Sequence, residues 1–192
     1  MCGRYYFDPE RDDPLTQKLS QALYSIGEEP FRGGEIFPGT KIPALFPSTK
    51  DQSVQLAFFF WGFDLPYAKQ NIINARSETV DSKVTFKDAF EKARILVPAH
   101  AYYEWDKNKE RHLYAIPNHE LFFLTAIARP EDKGRSLVLL TCEAEGVQRE
   151  VHHRMPLCLT QEDAQKWLRD DAWALNLTQK KAENIPYEIA LN

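Results

Sequence analysis

The chain has 192 residues, 43% of them apolar and 27% charged. That balance excludes disordered and collagen-like chains and gives room for one ordinary domain. With 24 basic and 28 acidic residues the formal charge is −4, which excludes a strongly basic, general nucleic-acid binder and leaves only a local positive strip.

The first residues, MCGRYYFDPERDD, have no apolar stretch behind a basic start, so no secretory signal is expected. The longest apolar runs, LAFFFW at 56–61 and LFFLTAIA at 121–128, are far too short to span a membrane. The odd set Cys2, Cys142 and Cys158 argues against a disulfide framework. A soluble protein of a reducing, cytoplasmic compartment is expected. No repeat, low-complexity tract or linker divides the chain, and residues 1–192 read as a single domain.

A first helix is predicted from Pro14 to Ile26, capped by Asp13 and ended by Gly27, with Leu15, Leu19, Ala22 and Leu23 on one face. Strand-like runs follow at Ile42–Phe46, Val54–Phe63, Ile72–Ser77, Ile95–Pro98, Ala101–Trp105, His112–Ile116, Leu121–Ala128, Ser136–Cys142 and Met155–Leu159. Helices fit Thr85–Ala93, Gln161–Arg169 and Asp171–Leu177, with Thr160 and Asp163 spaced as a capping box. Many short strands and few helices, without βαβ alternation, predict an α+β fold with a mainly antiparallel, curled sheet.

Cys2 is the first residue with distinctive chemistry. Removal of Met1 would leave a 1,2-aminothiol, with an amine of pKa about 7.7–8 beside a thiol of about 8.5. An aldehyde forms an imine with such an amine, and the thiol then closes a thiazolidine. The plainer reading is a small residue at a frayed end; palmitoylation is a further alternative. In NARSET, 74–79, an extended chain puts Asn74, Arg76 and Glu78 on one face. That face either orients a substrate and forks onto phosphate or is a surface Arg76–Glu78 ion pair. In PAHAYYEW, 98–105, Glu104 lies between Tyr103 and Trp105. It is either a general acid/base whose pKa is raised by aromatic surroundings or a strand carboxylate facing solvent. In EVHHRMP, 150–156, adjacent His152 and His153 point to opposite sides, and Arg154 shares a face with His152. The five histidines at 100, 112, 119, 152 and 153 show no paired metal-ligand spacing, and no metal or cofactor is expected. There is no phosphate-binding glycine loop or serine-nucleophile motif either. Cys142 and Cys158, in apolar runs, read as buried and inert.

MCGRY at 1–5, WGF at 61–63, NARSET at 74–79, RILVPAHAYYEW at 94–105 and HHRMP at 152–156 stand in one order. In that order the chain resembles the SOS-response-associated peptidase (SRAP) family of abasic-site shielding proteins, over residues 2–160. The resemblance implies a single α+β domain around a barrel-like antiparallel sheet. It also implies recognition of abasic sites in single-stranded DNA and a covalent thiazolidine crosslink through the N-terminal cysteine. Autoproteolytic release of the residues ahead of that cysteine comes with it, and an imine intermediate also permits β-elimination, an abasic-site lyase side activity.

Carried over by motif, the catalytic set is Cys2 as nucleophile, Asn74 to position it, Glu104 for proton transfer and His152 as acid/base toward the sugar and its phosphate. Arg4 and Arg76 are expected to meet phosphates, joined on the DNA-binding face by Arg154 and Tyr67. Tyr67 stands where the family has a stacking tryptophan: after WGF the chain reads Asp64, Leu65, Pro66, Tyr67. The pair His100-Ala101 and the segment TCEAEG at 141–146 also depart from the family pattern. The expected partner is single-stranded DNA carrying abasic sites, bound by a monomer in the cytoplasm, at the nucleoid if bacterial. Two alternatives are an N-terminal-nucleophile cysteine peptidase or amidase, and a single-stranded DNA-binding module without chemistry.

Overall fold

The computed structural model describes residues 2–26, 31–51, 53–116, 120–132 and 134–180, together with the backbone of 188–190. In chain order the elements begin with β1 (Tyr5–Phe7), α1 (Pro14–Ser25), β2 (Gly34–Ile36), β3 (Lys41–Pro47), β4 (Val54–Trp61) and β5 (Asn74–Arg76). A 3-10 turn at Ser77–Thr79 leads to α2 (Val84–Lys92), β6 (Arg94–Ala99), β7 (Ala101–Trp105) and β8 (Arg111–Ala115). Then come β9 (Phe122–Glu131), β10 (Gly134–Glu143), α3 (Gly146–Val151), β11 (Arg154–Pro156), β12 (Cys158–Leu159), α4 (Gln161–Arg169), α5 (Asp171–Gln179) and β13 (Glu188–Ala190).

One sheet runs β10-β4-β3-β6-β9, and the antiparallel pairing of β9 with β10 closes it into a five-stranded barrel. Closure removes exposed strand edges. β11 and β5 attach to β10, and β12 attaches to β9. A second sheet has the order β13-β8-β7-β1-β2. Helix α1 starts as its sequence dictates: the Asp13 carboxylate accepts the Thr16 N–H at 2.9 Å, and Pro14 sits in the first turn.

Two details of the barrel position the site. Trp61 ends β4, and the chain turns away at Gly62 with φ +136, a backbone region that L side chains avoid. A Cβ there would also come within 2.9 Å of Asn71 Cβ, so glycine is required twice over. The chain then returns as β5 beside the same strand: β10 pairs in parallel first with β4 at Ser136 and Leu137, then with β5 at Leu139, Leu140 and Thr141. The fully buried Trp61 indole donates to the Ile73 carbonyl at 3.0 Å, fastening the residue next to Asn74. WGF and NAR are thus consecutive parts of one barrel wall.

Several sequence expectations are corrected. The extended run at Ile72–Ser77 shortens to Asn74–Arg76, because Ser77 opens the 3-10 turn. Met155–Leu159 splits, since residues 154–156 pair with β10 and 158–159 pair with β9. Thr160 makes no side-chain cap bond, and Asp163 instead binds Lys166 at 2.9 Å, so the capping box does not form. Gly27, the expected stop of α1, lies outside the described residues. β1, β2, α3 and β13 have no counterpart among the predicted elements: each is short, and pairing partners rather than local propensity define the strands. No helix among the described residues is long and apolar enough to cross a membrane.

His100 joins the two sheets at the end of β6. It is 1% exposed and stacks on Phe7 at 5.3 Å between ring centroids. Its Nδ1 accepts the Asp8 N–H at 3.1 Å and its Nε2 lies 3.1 Å from the Thr16 hydroxyl. Burial, with the Arg11 charge adding to it, pushes its pKa down to about 4. The unfolded chain therefore binds a proton that the fold rejects, and stability contributed by neutral His100 falls as pH drops from about 6.5 toward 4. Urea midpoints measured between pH 7 and pH 4.5 should drop more steeply for the wild type than for His100→Leu. Equal slopes would contradict this assignment.

Candidate active site

Cys2 precedes β1 and its side chain is completely buried. Its Sγ lies 3.8 Å from the Arg4 carbonyl oxygen. The Asn74 Nδ2 donates to the Cys2 carbonyl at 2.8 Å, so β5 grips the chain's first residues. The Asn74 Oδ1 is buried without a hydrogen-bond partner. Such an acceptor costs about 1–3 kcal/mol until a donor meets it.

Glu104 comes from β7 and is 5% exposed. Alternation along β7 sends Tyr103 and Trp105 to the face opposite Glu104, where Trp105 underlies the Arg4 guanidinium at 4.8 Å and Tyr103 underlies Arg111 at 5.1 Å. Tyr102 and Glu104 face the other way, opposite Tyr114 and His112 of β8. Burial pushes the Glu104 carboxyl up to about 7, which makes it competent to give and take a proton near neutrality. Burial, and after it the Glu104 charge, pushes the Cys2 thiol up to about 12. Cys2, Asn74 and Glu104 therefore form one cluster.

The cluster has a tyrosine wall that the sequence reading does not single out. Tyr5, Tyr102 and Tyr114 are fully buried. They sit in register across β1, β7 and β8, with Tyr102 and Tyr114 stacked at 5.0 Å. The Tyr5 and Tyr114 hydroxyls have no hydrogen-bond partner. Burial, followed by the Glu104 charge, lifts Tyr114 to about 12. The available signal was the period-two placement of aromatics in adjacent short strands.

His152 ends α3 and leads into β11, whose partner β10 also carries β5. The same strand thus delivers Asn74 and His152. The His152 Nδ1 lies 3.0 Å from the Arg154 N–H and 2.9 Å from the Arg154 carbonyl oxygen, which fixes the ring against its own backbone. The His153 ring sits 4.4 Å from the His152 ring.

Arg154 departs from its expected place on a DNA-binding face. It is 7% exposed, and its Nη1 and Nη2 grip the two carboxylate oxygens of Glu78 at 2.6 and 3.0 Å. Nη2 also donates to the Thr141 carbonyl. Burial works to raise the Glu78 pKa, yet the Arg154 bonds outweigh it and hold the carboxyl below its ordinary range. Arg154 is a positioning residue that locks NARSET to β10 and β11. Glu78 pairs with it and not with Arg76.

Arg76 is exposed at the end of β5. Arg4 is half-buried, paired with Glu35 at 3.2 Å and stacked over Phe37 at 4.3 Å. Tyr67 is 72% exposed, its hydroxyl 2.9 Å from that of Thr85. Cys142 and Cys158 are buried. One set of side chains with metal-ligand chemistry occurs among the described residues: Asp106, Glu110 and His112, whose ligand atoms lie within 4.8 Å of one another. There the Asp106 carboxylate already accepts the Asn108 and Glu110 N–H groups, each at 2.8 Å, as a turn requires.

Replacing Arg154 with Met keeps the bulk and removes the clamp. Urea unfolding should show a loss of about 1–3 kcal/mol, and Arg154→Lys, which cannot fork, should recover only part of it. Wild-type stability in Arg154→Met would contradict the clamp.

A family model described as SOS response associated peptidase (SRAP) matches residues 1–189. Over 181 residues the chain is 28% identical to the abasic site processing protein YedK of Escherichia coli (strain K12), covering 89% of this chain and 81% of that one. Over 182 residues it is 27% identical to the abasic site processing protein YoqW of Bacillus subtilis (strain 168), covering 88% and 80%. A crystal structure of a Bacteroides thetaiotaomicron protein superposes with a TM-score of 0.75 at 20% identity, over 100% of this chain and 93% of that one. A phage-related protein from Bordetella bronchiseptica gives 0.71 at 22% identity, over 100% and 95%. With the family model running almost the length of the chain, this protein belongs to the SRAP family.

Proposed function

We propose that this protein captures abasic sites in single-stranded DNA as a covalent thiazolidine on Cys2, after Met1 has been removed. The observation that carries the reading is the Asn74 grip on the Cys2 carbonyl at 2.8 Å beside a carboxyl raised to about 7. The names of the relatives, abasic site processing proteins, supply the substrate class.

An abasic sugar opens to an aldehyde. The Cys2 amine attacks its carbon, giving a carbinolamine. Glu104, protonated for part of the time near neutrality, gives a proton to the departing hydroxyl, and water leaves as the imine forms. The thiol sulfur then adds to the imine carbon and its proton passes to the nitrogen, closing the ring. A thiol pushed to about 12 is a poor thiolate nucleophile at neutral pH. This favours an amine-first order over direct thiolate attack on a peptide carbonyl. Asn74 holds the N-terminus, and its open Oδ1 accepts a bond from the sugar. His152 serves as acid/base toward the sugar and its phosphate. Arg76 and Arg4 bind flanking phosphates, Arg4 by leaving Glu35, and Tyr67 offers an open ring for base stacking. Release of Met1 by the protein itself and strand cleavage from the imine are side reactions of the same site.

A denaturing gel tests this with protein of verified mass lacking Met1. A heat-stable band requiring both the abasic site and Cys2 is expected, and Cys2→Ala should abolish it. Asn74→Ala should slow its appearance about 10–100-fold, the worth of one buried hydrogen bond. Capture should be slow at low pH, where the amine is protonated, and fall again as Glu104 ionises above about 7. Glu104→Gln should slow capture and remove the fall on the alkaline side. Absence of the band in wild-type protein would overturn the proposal.

A further inference from the structure

A cavity of about 500 Å³ opens where β6 and β10 begin and β9 ends. Arg135 lines it at the start of β10, four positions before Leu139, the register partner of Asn74. At the rise of a strand this is about 13 Å, and none of Cys2, Asn74 and Glu104 lines the cavity, so it is distinct from the candidate active site. Its volume is in the range of small-molecule sites.

Its charge is anomalous for an acidic chain. Five cations line it (Lys50, Lys92, Arg94, Arg129 and Arg135), and no acidic residue does. Three of the five are held by acids outside the lining: Lys92 by Asp88, Arg94 by Asp171 and Arg129 by Glu131. Lys50 and Arg135 are exposed and make no ion pair among the described residues. The excess of two positive charges matches a phosphate monoester, which carries about −1.5 to −2 near pH 7. Arg135 also lies over the Phe46 ring at 5.3 Å and the Phe59 ring at 5.9 Å. A guanidinium backed by aromatic rings offers its other face to a stacked base.

We propose that this cavity is a binding site for a nucleoside phosphate, with the phosphate on Lys50 and Arg135 and the base stacked on the Arg135 guanidinium. The unit has two sources to distinguish: a free nucleotide, or a nucleotide of the strand held at Cys2.

The test uses the Cys2→Ala protein, so that it is independent of crosslinking. Isothermal titration at low salt compares deoxyadenosine monophosphate, deoxyadenosine and inorganic phosphate. The monophosphate should bind saturably and at least about fivefold tighter than either fragment. Arg135→Ala and Lys50→Ala should each weaken it several-fold. Both side chains are solvent-exposed, and unchanged melting temperatures verify the fold of each variant. The source is read from capture rates of the wild-type and Arg135→Ala proteins, each with Cys2 intact, on abasic strands of about 3 and about 15 nucleotides. A strand-borne unit predicts slower capture in Arg135→Ala on the long strand only. A free nucleotide predicts equal capture on both. Absence of saturable monophosphate binding together with unchanged capture on the long strand would overturn the proposal. So would monophosphate binding that neither substitution alters.

Discussion

The 2.8 Å bond from Asn74 to the Cys2 carbonyl joins residues 72 positions apart, and the rest of the fold is arranged to make it. A chain terminus ordinarily frays. Here the first residues are drawn into the core by a strand, β5, that exists only because β10 pairs in parallel with it after pairing with β4. The tight turn at Gly62 and the Trp61 bond to Ile73 set where β5 begins. The Arg154 fork on Glu78 sets where it ends. One barrel strand thereby fixes the register of three motifs.

Burial does two things at this site. It moves Glu104 toward neutrality and Cys2 away from the thiolate. It also leaves polar atoms without partners, among them Asn74 Oδ1 and the Tyr5 and Tyr114 hydroxyls. Each such atom opposes folding. In the proposed capture these atoms, gathered near one thiol and one carboxylate, complete their hydrogen bonds when the sugar enters. His100 shows the contrary case: equally buried, it is bonded at both nitrogens and acts as a rivet between sheets.

Much of this was legible in the sequence. The motifs that carry Cys2, Asn74, Glu104 and His152 are readable as sequence, and the Asp13 cap and the start of the strand at Val54 follow from local chemistry. The α+β class with a curled sheet was also readable. The sequence misplaces Arg154, because its spacing from His152 says nothing of a carboxylate 76 positions away. Short strands such as Tyr5–Phe7 and Gly34–Ile36 are defined by long-range pairing, which local propensity does not contain. The parallel pairing of β10 with two successive segments was invisible for the same reason. The cationic cavity likewise draws its lining from five separate strands and their loops.

In the proposed capture the N-terminal cysteine acts through both its amine and its sulfur. Peptide mapping by mass spectrometry, after nuclease and protease digestion of protein reacted with an abasic strand, tests this most directly. The expected result is an adduct on the peptide beginning at Cys2, heavier by the opened sugar less one water, with no free thiol left for alkylation. An adduct on a lysine, or an adduct at Cys2 whose thiol still alkylates, would contradict it.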